Sequence, residues 1–131
     1  MTPFRFVLAA TAALLAASPS FAQIAPQQVT VSLTNFAFTP DTLNLKANTA
    51  YRLHLTNDGT SGHNFTAKEF FASSTIAPAD ASKVDKDGEV EVPKGTSVDV
   101  TVTPAKAGSY DLTCTHFLHT TFGMKGQIVV Q

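Results

Sequence analysis

The mature part of the chain reads as an all-β domain, an antiparallel sandwich or barrel, on three observations. Apolar and polar residues alternate in short runs, turn residues separate those runs at short intervals, and no helical period is sustained. Each alternating run buries one face and wets the other, because successive side chains of a strand point to opposite sides.

Taken in order, the first run is Val29, Val31 and Leu33, and Thr39-Pro40-Asp41 then supplies a turn. Tyr51, Leu53 and Leu55 form the second run, closed by Asn57-Asp58-Gly59. In GHNFTA, His63 and Phe65 share a face, which puts His63 at the edge of the apolar interior. The segment Lys68 to Asp87 is rich in small and polar residues and contains Pro78, so an excursion with one short helix at its start is expected. Asp87-Gly88, Pro93-Lys94-Gly95 and Ala107-Gly108 are the remaining turns. Between and after them come Val98, Val100 and Val102, then Tyr110, Leu112 and Cys114. QIVVQ, Gln127 to Gln131, closes the chain as a last strand. No internal repeat is evident.

The first 22 residues stand apart. Arg5 precedes an apolar run from Val7 to Ala17, and Ser20-Phe21-Ala22 follows the small-x-small pattern of a cleavage site. The run is too short to span a bilayer, and no cysteine at the junction offers a lipid attachment point. Residues 1–22 are therefore expected to be a cleaved signal peptide, and residues 23–131 a single exported domain without a membrane anchor, in the periplasm or otherwise outside the cytoplasm.

Cleavage takes away Arg5 and no acid, so the 9 basic and 10 acidic residues of the full chain become 8 and 10, a formal charge of −2. Such a balance speaks against nucleic acid as a partner and against an anionic membrane surface. A single cysteine makes no internal disulfide even where the compartment permits one. Cys114 is left as a buried thiol, a nucleophile, a dimer link or a metal ligand.

Its neighbourhood narrows those options. CTHFLHTTFGM, Cys114 to Met124, holds the one cysteine, two of the 4 histidines and one of the 2 methionines. Cys114, His119 and Met124 are spaced C-x4-H-x4-M, and His63 lies upstream in GHNF. A thiolate, two imidazoles and a thioether form a donor set that favours copper, soft enough for Cu(I) as well as Cu(II). Three donors on one loop with a fourth from a neighbouring strand also make a rigid cage.

On these residues the chain resembles the cupredoxins, the blue copper family that includes plastocyanin, pseudoazurin and azurin. The resemblance covers nearly the whole mature chain: the Asn57 and Gly59 turn into His63-Asn64-Phe65, the strand SYDLTC into Cys114, and GMKGQIVV at the end. It implies a Greek-key sandwich binding one copper ion near one end, through His63, Cys114 and His119 with Met124 as a longer axial ligand. Asn64 matches the family's asparagine that ties the strand of His63 to the cysteine loop. Two features depart from the family: Phe117-Leu118 stands where proline or glycine often precedes the loop histidine, and His116 is an imidazole with no role in the pattern.

Several of these residues also have plainer readings. His54 lies between Leu53 and Leu55 and should point to solvent. His116 competes with His119 as the ligand, but His119 keeps the family spacing to Met124. Met124 alone would be core filler, and Phe70, Phe71, Phe117, Leu118 and Phe122 alone would be packing. Asn64-Phe65-Thr66 matches a glycosylation sequon, but a position beside an inward ligand argues against its use. A cysteine hydrolase lacks an orienting group and a cleft, and structural zinc would favour more thiolates and no thioether.

The expectation is a monomeric one-electron carrier that cycles Cu(II)/Cu(I) between redox partner proteins and is not an enzyme. Four protein donors leave no position for substrate. The alternative is a periplasmic copper-binding protein for tolerance or delivery, in which copper is cargo. Phe117, Leu118 and Phe122, which bracket His119, are the expected docking surface.

Overall fold

The structure, a computed structural model, describes residues 23–131 together with Ser18 and Ser20, so the expected signal peptide lies almost wholly outside the described residues. Among the described residues, ten strands form two five-stranded sheets. They are β1 (Gln27–Thr34), β2 (Ala37–Thr39), β3 (Thr42–Leu45), β4 (Tyr51–Asn57), β5 (His63–Thr66), β6 (Ser74–Ile76), β7 (Glu89–Val92), β8 (Ser97–Pro104), β9 (Gly108–Thr113) and β10 (Lys125–Val130). One sheet runs β2-β1-β4-β8-β6 and the other β3-β10-β9-β5-β7.

The core is where the alternation places it. Val31 and Leu33 of β1, Leu53 and Leu55 of β4, and Val100 and Val102 of β8 are buried, with Thr30, Arg52 and Thr101 on the other face. The second sheet answers with Leu112 of β9 and Ile128 and Val130 of β10. Phe65 stands between the sheets, edge-on to Phe38 and Phe71 at centroid distances of 6.0 and 6.1 Å. Each such side chain, fully removed from water, contributes about 1.5–3 kcal/mol before conformational entropy is charged against it.

Pairing departs from the antiparallel expectation in two places. β1 lies parallel to β4 and β3 parallel to β10, while the other pairs are antiparallel. Between β1 and β4 the chain adds β2 to the first sheet and crosses to the second as β3 before returning, and that crossing is what a parallel pair needs. Alternation dictates which face is buried and is silent about strand direction, so the two parallel pairs leave no mark in it.

The excursion after β5 begins, as expected, with a short helix, α1 (Lys68–Ala72), which buries Phe70 and Phe71. It also holds an edge strand: β6 pairs Ser74, Thr75 and Ile76 with Pro104, Thr103 and Val102 of β8. A 3-10 helix at Pro78–Lys83 follows. Strand β10 starts at Lys125, two residues before the expected Gln127. Among the described residues no helix is long and apolar enough to cross a membrane.

Candidate metal centre

The site is built where two neighbouring strands stop pairing. β5 and β9 share the bridge Thr66 to Thr113, and continuing that antiparallel register would set Asn64 opposite Thr115. Side-chain bonds occupy that position instead: Asn64 Nδ2 donates to Thr115 Oγ1 at 2.7 Å, and the Thr115 N–H donates to Asn64 Oδ1 at 2.8 Å. Thr115 Oγ1 in turn donates to Glu89 Oε2 of β7 at 2.7 Å. The strands are held apart by the length of a carboxamide, and Cys114 Sγ lies in the gap, 3.5 Å from the Asn64 N–H. Asn64 is buried, which leaves its sequon closed to modification.

His63 enters from the turn before β5. Asn57 is buried at the end of β4 and holds that turn from inside, donating from Nδ2 to the Ser61 and Val92 carbonyls at 2.9 and 2.8 Å and accepting from the Gly59 N–H at 2.9 Å. The His63 ring is wholly buried. Its Nε2 is 2.8 Å from Asn35 Oδ1, a residue of the β1–β2 connection.

The loop from Cys114 to Met124 is closed by its own backbone. The Cys114 N–H donates to the Met124 carbonyl at 3.3 Å, and the Met124 N–H to the His119 carbonyl at 3.0 Å. The His119 N–H donates to the His116 carbonyl at 3.1 Å, and Thr120 Oγ1 to the Cys114 carbonyl at 2.6 Å. Leu118, just before His119, adopts φ 64°, a left-handed conformation that a branched side chain resists. Cys114 and Met124 are fully buried, and His119 is 9% exposed.

Three donor atoms converge. His63 Nδ1 and His119 Nδ1 are 3.1 Å apart, Cys114 Sγ is 3.3 Å from His119 Nδ1, and Cys114 Sγ is 3.9 Å from His63 Nδ1. The point equidistant from the corners of that triangle lies about 2 Å from each, close to the roughly 2.0–2.1 Å of a metal–imidazole bond. Burial holds the His63 imidazole below its ordinary range, and the His119 and His116 rings push it the same way. Burial also lowers His119, with His116 adding to it, so the setting favours the neutral form of both rings. Burial pushes the Cys114 thiol up, against the lowering effect of the Asn64 and His116 backbone N–H groups, and Glu91 and Glu89 push it up further. A cation at the centre would reverse that balance and favour the thiolate.

Of the four expected donors, His63, Cys114 and His119 therefore present atoms within 4.8 Å of one another. Met124 is buried on the same loop and bonded to both Cys114 and His119 through its backbone. His116 stands outside the triangle: its Nε2 faces Glu91 at 2.9 and 3.1 Å, and its ring stacks on His119 at 5.4 Å. His54 is on the far sheet with Nδ1 2.6 Å from Asp99 Oδ1, opposite it in register. Around His119 the surface is apolar, with Phe117 87%, Leu118 44% and Phe122 60% exposed. Phe36 joins this surface, its ring 5.0 Å from His119 and stacked on Phe122 at 5.1 Å. Sequence reading missed Phe36 and Asn35, because both reach the site from a connection at the edge of the first sheet, remote in sequence from every donor.

The chain matches the model of the cupredoxin-like domain family over residues 6–130, and it belongs to that family. Comparison with curated protein sequences yields no match. Among solved structures it is similar to auracyanin B, at 24% identity and TM-score 0.62, with 84% of this chain and 93% of that one covered. It is similar also to auracyanin A, a "blue" copper protein from the green thermophilic photosynthetic bacterium Chloroflexus aurantiacus, at 19% identity and TM-score 0.59, covering 82% of this chain and 100% of the other. A multicopper oxidase from Campylobacter jejuni shares the fold at 12% identity and TM-score 0.62, over 87% of this chain but 32% of that one.

Proposed function

We propose that this protein is an exported, monomeric carrier of single electrons with one copper ion bound by His63, Cys114, His119 and Met124. The observation that carries the reading is the buried triangle of one sulfur and two imidazole nitrogens, sized for a metal and built on the loop that also buries Met124. Thiolate, imidazole and thioether together suit copper in both of its common oxidation states. Copper supplies the one-electron couple Cu(II)/Cu(I). The chain supplies a cage whose members barely need to move: Asn64 fixes the cysteine loop, Asn57 the turn before His63, and backbone bonds the eleven residues from Cys114 to Met124. The buried setting keeps water from the donors, while the His119 edge reaches an apolar surface where a redox partner protein can approach.

We read residues 1–22 as the removed signal and residues 23–131 as the copper domain. Four protein donors leave no position for a substrate, so the reading is a carrier and not an enzyme. The test is to load the mature protein with Cu(II), record visible and EPR spectra, and cycle it with a reductant and an oxidant. An intense thiolate-to-copper band that bleaches and returns fully supports the carrier; ready loss of copper on reduction would instead mark the metal as cargo for tolerance or delivery. His116 and the Phe117-Leu118 step are the two features that speak for the cargo role; of these, His116 faces Glu91 at 2.9 Å.

A further inference from the structure

We infer that Asn35 is a positioning residue for His63: its side-chain oxygen holds the ring in the Nε2–H tautomer and so aims the Nδ1 lone pair at Cys114 and His119. The inference rests on the copper reading for its purpose, though not for its geometry. Asn35 is far from every donor in sequence, and its side chain is nonetheless 2.8 Å from His63 Nε2.

The direction of that hydrogen bond follows from a third residue. A backbone N–H is a donor only, and the Thr60 N–H points at one atom of the Asn35 carboxamide, 3.2 Å away. That atom must be the oxygen. The other atom of the carboxamide is then the NH2 group, which donates to Thr60 Oγ1 at 2.7 Å. The carboxamide is thus fixed from the Thr60 side, and its oxygen is what faces His63 Nε2. Nε2 therefore carries the proton, and Nδ1 is left as an acceptor inside the triangle. The opposite tautomer would set the Nε2 lone pair against the Asn35 oxygen and put a proton where a metal must bind.

Gly59 makes this contact possible. A Cβ at position 59 would fall 2.5 Å from Asn35 Oδ1 and 2.7 Å from His63 Nε2, inside the hydrogen bond itself. Two features of different segments, the carboxamide of Asn35 and the missing side chain of Gly59, therefore converge on one nitrogen.

The test uses the mature protein, first free of metal and then loaded with copper. Long-range nitrogen–proton NMR correlations report the His63 tautomer without any metal. Wild type is expected to show Nε2–H alone. Asn35→Ala and Gly59→Ala should each show a mixture, and each should bind Cu(II) about 10–100-fold more weakly, the usual cost of losing the group that orients a ligand. Asn35→Asp, which keeps an acceptor oxygen of the same reach, should retain the Nε2–H form and bind within about tenfold of wild type. If Asn35→Ala fails to fold, the wild-type and Asn35→Asp tautomers still decide. A wild-type His63 protonated at Nδ1, or unchanged tautomer and affinity in folded Asn35→Ala, overturns the inference. Failure of the wild type to bind copper while showing Nε2–H would overturn the proposed function and leave the Asn35 assignment standing.

Discussion

Asn64 and Thr115 exchange two hydrogen bonds, at 2.7 and 2.8 Å, at the point where β5 and β9 would otherwise form their next backbone pair. The substitution of side-chain for main-chain bonding is what opens room for Cys114 Sγ between the strands. Asn64→Ala should leave the Thr115 N–H without a partner and destabilise the metal-free protein by about 1–3 kcal/mol in urea unfolding. With copper, the variant should show a shifted charge-transfer band, because the sulfur loses its fixed seat. Wild-type stability and spectrum together would show that the pair holds nothing.

Cys114→Ser should abolish the intense thiolate-to-copper band while leaving far-ultraviolet circular dichroism nearly unchanged, since the strands bury an alternating core of their own. An unchanged visible spectrum would remove the copper–thiolate assignment.

The two loop histidines should behave differently. His119→Ala takes a corner from the triangle and should weaken Cu(II) binding by about 100-fold or more, on the scale of removing a ligand and not merely its support. His116→Ala loses a contact with Glu91 and a stack on His119, and should keep one copper with a small spectral change. Equilibrium titration of both variants checks the contrast, and swapped outcomes would reassign the ligand.

The stability of the metal-free protein should fall at both ends of the pH range. His63 and His119 are held below their ordinary value of 6.5 in the folded state, so below that pH the unfolded chain takes up more protons and folding weakens. Cys114 is held above its ordinary 9.0, so above that pH the unfolded chain gives up its thiol proton first and folding weakens again. Urea midpoints at about pH 5.5, 7.5 and 10 should therefore be highest in the middle. A midpoint that stays flat from the middle to the acid side would mean that the rings are not buried neutral.

Leu118 is half in solvent within the apolar surface beside His119. Leu118→Lys should slow electron self-exchange by about tenfold or more, within the one to three decades that variants of one interface span, while copper content and spectrum stay nearly unchanged. Equal rates would move the route away from this surface.

Much of this protein was legible in its sequence because the governing patterns are local. A period of two assigned the buried face in β1, β4, β8 and β9, and it placed His63 with Phe65 and Cys114 with Leu112, all now buried. The short spacing from Cys114 to His119 sets their donor atoms 3.3 Å apart because one loop between adjacent strands cannot scatter its side chains far. What remained hidden is non-local. The parallel pairs depend on a crossing between sheets, β6 is three residues of an edge, and Asn35 meets His63 across 28 positions of sequence. No window of contiguous residues contains that meeting.

The separation of His63 from the loop donors has a consequence for the order of events in the life of the molecule. Cys114 and His63 are 51 positions apart, and the strands that carry them pair through one bridge. Bringing such distant points together is among the slower tasks of a folding chain, because the closing of the intervening segment comes before its reward. Until then the chain offers only the loop: the Cys114 thiol, the Met124 thioether and the His119 ring, without His63. On the proposed copper reading, the full grip of His63, Cys114 and His119 exists only once both sheets have closed, so that possession of the ion also certifies the fold around it.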